Sequence, residues 1–231
     1  MTDLYRRGDG LPRGVRVAVH EVSPRGSFER CDMAVIRADA VGGNLFVLVV
    51  DGAPGSAAGR PSMPRRRLFD AVRAVPVELP AADSLEALHA NLLEGNRGSH
   101  TLMFASAACM TLNCGEGRID VAEVGDTKLW TWTDAAAKPV IAEGLPREDG
   151  RVLKGLGAPS SPDIRRREMG LEPGQDLAVL TDGAYHLVRL DGPPDEIPGG
   201  PGDMGGRFED RQDLSDDCAT LVLVRRDGPA S

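Results

Sequence analysis

Aromatic side chains are scarce in this chain of 231 residues: five Phe, two Trp and two Tyr make up 4% of it. Its core must therefore be packed from Val, Leu, Ala and Ile, and a hydrophobic fraction of 41% supplies enough of them. Positive charge is also short. Against 35 Asp and Glu stand 27 Lys and Arg, a formal net charge of −8, which argues against nucleic acid because phosphate backbones are bound by a Lys/Arg excess. A basic run, Arg65-Arg66-Arg67, interrupts this acidity and reads as the solvated start of a helix. Four cysteines occur, Cys31, Cys109, Cys114 and Cys218, with no Cys-x-x-Cys spacing, so a zinc site is not expected and reduced thiols are. No apolar window approaches membrane-spanning length and the first residues lack a secretory hydrophobic segment, so the expectation is a cytoplasmic protein with no membrane partner. Nor does any long linker divide the chain. One domain over 1–231 is expected, with its core from about 15 to 226.

What the chain does have is a continuous apolar run, Leu45 to Val50, that meets Asp51-Gly52 and then Gly55. Such a run reads as a buried strand delivering a carboxylate to the rim of a sheet. Leu177 to Thr181 repeats the arrangement by running into Asp182-Gly183. Asp-Gly alone makes a turn, because Asp hydrogen-bonds the following backbone and Gly tolerates positive φ. Two further acids change that reading: Asp32 leads into Met33 to Ile36, and Asp217 stands just before Ala219 to Val224. If the four strands are neighbours, four carboxylates converge and repel, and the ordinary remedies are protonation or a bound cation. All-oxygen donors suit hard ions such as Mg²⁺ or Mn²⁺, and a pair of such ions displaces groups at phosphorus.

In chain order, Val15 to His20 alternates as a half-exposed strand, and the Asp32 and Asp51 strands form a hairpin about Gly42-Gly43-Asn44. Leu68, Val72 and Val75 fall at helical spacing. Leu85, Leu88, Leu92 and Leu93 mark a second helix, capped by Asp83 or Ser84 and ended by Gly95. Segments 101–112, 119–124 and 128–133 read as a meander of three antiparallel strands, with Asp126 in a hairpin turn. Ile164 to Met169 is a further strand and Ala184 to Leu190 a short helix. Residues 191–215, dense in Gly, Pro and Asp, are expected to be a mobile loop. His20, His89 and His186 read as surface or packing residues rather than ligands.

Asp32 before a strand, Asp51-Gly52-x-x-Gly55, Gly125-Asp126-Thr127, Thr181-Asp182-Gly183 and Asp217-x-x-Thr220, in this order, resemble the metal-dependent protein phosphatases, the protein phosphatase 2C-like (PPM) family. The short connection from Asp126 to Asp182, Asp216-Asp217, and Leu88-His89-Ala90-Asn91-Leu92 ahead of Arg97-Gly98 are similar to the compact bacterial branch, that of the stage II sporulation protein E domain and the stress-response phosphatases. The resemblance implies an α+β fold, a four-layer αββα sandwich of two antiparallel sheets flanked by helices. It implies two Mg²⁺ or Mn²⁺ ions, bridged by Asp51, with Gly52 (through its carbonyl), Asp32, Asp182 and Asp217 completing the ligand set. The implied reaction is hydrolysis of phosphoserine or phosphothreonine on a bacterial regulatory protein, within a cognate Ser/Thr kinase system, by a water that the two ions activate. Departures from the family pattern are Cys31 where an acid often stands, Ser27 in place of an arginine, Ala53 in place of a histidine and Cys218 in place of an asparagine; Arg25 or Arg30 is then the candidate for holding the substrate phosphate. A silent module that binds a phosphoprotein partner is the alternative these departures raise. Retention of mutually repelling carboxylates speaks for the enzyme.

Overall fold

A computed structural model describes residues 11–12, 14–22, 32–38, 43–54, 65–99, 102–133, 136–141, 155–188, 190, 200–214 and 218–227. The apolar runs become strands in two five-stranded antiparallel sheets. One sheet holds β2 (Met33–Ala38), β3 (Asn44–Pro54), β4 (Met103–Asn113), β5 (Arg118–Val124) and β8 (Arg165–Gly170), in that spatial order. The other is ordered β1 (Val15–Val22), β10 (Ala219–Arg226), β9 (Asp176–Leu180), β6 (Lys128–Thr133) and β7 (Ala136–Pro139). Helices α1 (Arg65–Arg73) and α2 (Ala81–Asn96) cover the first sheet, and α3 (Asp182–Val188) and α4 (Pro201–Arg211) cover the second.

The continuous hydrophobicity of β3 has a direct cause: both faces are buried. Leu45, Val47 and Val49 point to the opposite sheet, where they meet Leu177, Val179, Val222 and Val224. Phe46, Leu48 and Val50 point the other way, onto Leu68 and Val72 of α1 and Leu85, Leu88 and Leu92 of α2. Trp130, Ala178, Leu180 and Leu221 form the outer layer of the second sheet with α3 and α4. Three apolar layers between four layers of backbone, two of helices and two of strands, make the αββα sandwich expected from the resemblance.

Four local readings need correction. Asp51 and Gly52 lie inside β3, not in a turn at its end, because the equally long β4 carries the pairing on to Pro54–Met103. Segments 101–112, 119–124 and 128–133 are not a three-stranded meander: β6 leaves β5 and pairs with β9 in the other sheet. Neither Asp83 nor Ser84 caps α2. The helix follows Pro80, and the backbone N–H of Ala81 donates to the Asp120 carboxylate of β5 at 2.8 Å.

The fourth correction concerns the segment read as a mobile loop. Its part from 201 to 211 is α4, followed by a 3-10 turn over Gln212–Leu214; residues 191–199 and 215 lie outside the described residues. Three glycines weaken this helix, but Met204 and Phe208, four residues apart, bury one face of it on β9 and β10. Tertiary burial overrides propensity here. Phe208→Ala is expected to cost about 3–5 kcal/mol, read as a lowered urea midpoint. A loss under about 1 kcal/mol would mean that α4 is not part of the cooperative fold. His20 of β1 is also partly covered by this helix, with its Nδ1 3.4 Å from Glu209 and its ring against Phe208.

Candidate metal centre

Strand register determines which side chains meet at one end of the sandwich. Asp51 shares the face of Val47 and Val49, so it points between the sheets, opposite Ser106 of β4. Asp32 immediately precedes Met33, which pairs with Val50, and this register sets it beside Asp51 at the same rim. From the second sheet, β9 ends at Leu180 and α3 opens with Asp182. The two sheets therefore contribute carboxylates to one cleft.

Neutral hydroxyls fasten this rim. The Thr181 hydroxyl donates to Asp32 at 2.7 Å and accepts the Thr220 backbone N–H at 3.0 Å, while the Thr181 N–H donates to the Thr220 carbonyl at 3.1 Å. Asp32, Thr181 and Thr220 are all buried. One threonine thus ties β9 to β10 and orients a carboxylate supplied by the facing sheet. On the other side, the hydroxyls of Ser106 and Thr127 lie 2.7 Å apart in a buried pair.

Burial pushes the Asp51 carboxyl well above the ordinary carboxylate range, and the charges of Asp32, Asp182 and Asp126 push it further; it also shares a hydrogen bond with Asp182. The physical content is repulsion of Asp51 by its acidic neighbours on top of its desolvation. Among the described residues no three His, Cys, Asp or Glu side chains close into a metal-sized cage. They form instead an open array of oxygen donors around Asp51. Such an array fits a hard divalent ion: the donors are all oxygen, and a cation would offset the repulsion that raises Asp51.

Of the residues singled out in the sequence, Asp32, Asp51 and Asp182 are brought together, and Gly52 lies buried next to Asp51 in β3. Asp217, Arg25, Arg30 and Cys31 fall outside the described residues; Cys218, next to Asp217, is buried at the foot of β10. Asp126, read as belonging to a simple hairpin turn, lies instead in the crossover between sheets, close enough for its charge to act on Asp51. Its presence in Gly125-Asp126-Thr127, between two strands, was the available signal. Ser106 and Thr220 carried none, because a hydroxyl inside an apolar strand looks like any β-forming residue. His186 is exposed, as expected, while the His89 Nδ1 accepts the Gly157 backbone N–H at 3.1 Å.

Comparison with curated proteins gives no match. Among solved structures, the S. agalactiae serine/threonine phosphatase is 12% identical, with a TM-score of 0.65, 91% of this chain and 99% of that chain being covered. The catalytic domain of the serine/threonine phosphatase PstP, solved in complex with 2 manganese ions, is 16% identical, with a TM-score of 0.63 and coverage of 93% and 99%. RsbX, solved in complex with magnesium, is 15% identical, with a TM-score of 0.61 and coverage of 91% and 94%. These likenesses establish a shared fold. The family model described as stage II sporulation protein E matches residues 42–197, more than half of the chain, including Asp51, Asp126 and Asp182. By that match, and by the order of acidic motifs it spans, this chain belongs to the stage II sporulation protein E family.

Proposed function

We propose that the chain is a metal-dependent protein serine/threonine phosphatase that hydrolyses phosphoserine or phosphothreonine on a bacterial regulatory protein, opposite a cognate Ser/Thr kinase. The observation that carries this reading is the gathering of Asp32, Asp51 and Asp182 from both sheets at one rim, where burial and the charges of Asp32, Asp182 and Asp126 push the Asp51 carboxyl upward. Two structural relatives add weight, since PstP was solved with manganese and RsbX with magnesium.

Asp51, Asp32, Asp182 and Asp217, with the Gly52 carbonyl, are the proposed holders of two Mg²⁺ or Mn²⁺ ions. Such a pair, when bound, neutralises phosphoryl charge and makes water a competent nucleophile near neutral pH. The protein's own contribution is placement. Thr181 aims the Asp32 carboxylate, the β3–β4 ladder fixes Asp51, and the start of α3 fixes Asp182. Arg25 or Arg30 is proposed to hold the substrate phosphate where relatives carry an arginine at the position of Ser27.

Hydrolysis of p-nitrophenyl phosphate with Mn²⁺, with Mg²⁺ and with chelator tests the reading. Turnover is expected with at least one ion and a loss of about a hundredfold or more on chelation. Phosphoserine and phosphothreonine peptides should then be hydrolysed and a phosphotyrosine peptide much less so. No turnover with either ion on any of these substrates overturns the proposal.

A further inference from the structure

Glu123, the next-to-last residue of β5, is a carboxylate with no exposed side-chain surface, and no sequence motif marks it. Its Oε1 accepts the backbone N–H of Leu129 at 2.7 Å. Its Oε2 lies 3.5 Å from the Lys128 ammonium and 3.7 Å from the Arg165 guanidinium of β8. Lys128 in turn donates to the Gly125 carbonyl at 3.0 Å. A buried carboxylate between two cations adds little net stability by itself, since desolvation offsets much of the attraction. Arg165 makes this plain: its three side-chain nitrogens are buried and make no hydrogen bond among the described residues.

The location supplies the missing reason. Between Glu123 and Leu129 the chain leaves one sheet and enters the other, crossing through Gly125, Asp126 and Thr127. Glu123 and Lys128 grip both ends of that crossover. Thr127 meets Ser106, the cross-strand partner of Asp51, and the Asp126 carboxylate acts on Asp51 itself. Any slackening between β5 and β6 is therefore passed to the carboxylate array.

We propose that Glu123 is a positioning residue: by clasping the Leu129 N–H and Lys128 it holds the Asp126–Thr127 crossover against Asp51, and so sets the affinity of the centre for divalent cations. The inference rests on the metal-dependent reading of the site. It assigns Glu123 no contact with substrate.

Calorimetric titration of the full chain with Mn²⁺ alone tests it, alongside thermal melting in chelator. Glu123→Gln preserves an acceptor for Leu129 but gives up the charge that holds Lys128, and the Mn²⁺ dissociation constant is expected to rise about tenfold. Lys128→Met separates positioning from simple charge. Loss of a cation beside carboxylates would, by charge alone, tighten Mn²⁺ binding; loss of the clasp weakens it, by an expected three- to tenfold, about the lower part of the range for outer-shell partners. A folded Glu123→Gln with a dissociation constant within about twofold of the parent, or a Lys128→Met that binds Mn²⁺ as tightly as the parent or tighter, overturns the inference. Should Glu123→Gln fail to fold, the sign of the Lys128→Met change decides. A parent protein that binds Mn²⁺ but hydrolyses no phosphoester overturns the proposed function and leaves this inference standing, and one that binds no Mn²⁺ overturns both.

Discussion

Asp51→Asn is expected to abolish turnover while leaving the metal-free protein at least as stable as the parent. Catalysis loses its proposed bridge between the ions, so kcat/KM on p-nitrophenyl phosphate should fall by about a thousandfold or more, the scale of several kcal/mol of transition-state charge stabilisation. Stability moves the other way, because the Asp51 carboxyl is held far above its ordinary range by burial and then by Asp32, Asp182 and Asp126. A carboxyl whose folded value is raised supports the fold below its unfolded value, and that support is lost as pH rises through the folded value. In chelator, the parent's melting temperature should therefore fall as pH is raised above the ordinary carboxylate range, and the Asn variant should lose most of that slope. Saturating Mn²⁺ should reverse the order by stabilising the parent more than the variant. Near-parental turnover in Asp51→Asn would show that the residue bridges nothing; a variant less stable in chelator would show that its acidic neighbours do not repel Asp51.

Particular residues explain why this centre was legible in the sequence and its supports were not. Asp51 and Asp182 each follow a run of buried β-formers and precede glycine, a local pattern that registers as a carboxylate at a sheet rim. Asp32 carried a different signal, an acid leading directly into the apolar run Met33 to Ile36. The register that sets Asp32 beside Asp51 follows from alternation in two strands that both pack on a core. Thr181, Ser106 and Thr127 act through partners 21 to 149 residues away, and nothing in their immediate neighbours encodes such a pairing. Glu123 was hidden by its strand: it stands on the face of Ile119 and Val121, yet between Ala122 and Val124 it looks like the polar half of a local alternation, and no turn residue draws notice. The exchange of sheets after β5 has no local signature either, because an antiparallel neighbour in the same sheet would show the same alternation. Helix α4 failed in the opposite sense. Its composition spoke for a loop, and only the contact of Met204 and Phe208 with the second sheet reverses that.

Gly183→Ala is expected to damage the centre without touching a carboxylate. The first turn of α3 passes so close to the start of β10 that a Cβ at Gly183 would stand 2.2 Å from the Cys218 carbonyl oxygen and 3.1 Å from its carbonyl carbon. Both obstacles are backbone, so no side-chain rotation relieves them. Room can be made only by moving α3 away from β10, against the hydrogen bonds that Thr181 makes to Thr220. That displacement shifts Asp182, which precedes the glycine, relative to the start of β10. A shift of about 1 Å at a reacting centre costs on the order of a hundredfold, and kcat/KM at saturating Mn²⁺ should fall by that much. Overpacking should also lower stability by about 1–3 kcal/mol, so activity is to be measured well below the melting temperature of the variant. Gly95→Ala is the matched control. Its Cβ would meet only the terminal methyl of Met103, at 2.8 Å, and a flexible thioether can turn aside. Gly95 lies on α2, across the outer layer from the carboxylates, so that variant should keep kcat/KM within about threefold of the parent. Equal activity losses in the two variants would mean that general destabilisation, and not the spacing between α3 and β10, limits turnover. Full activity in Gly183→Ala would mean that Asp182 does not work at a fixed distance from the β10 strand.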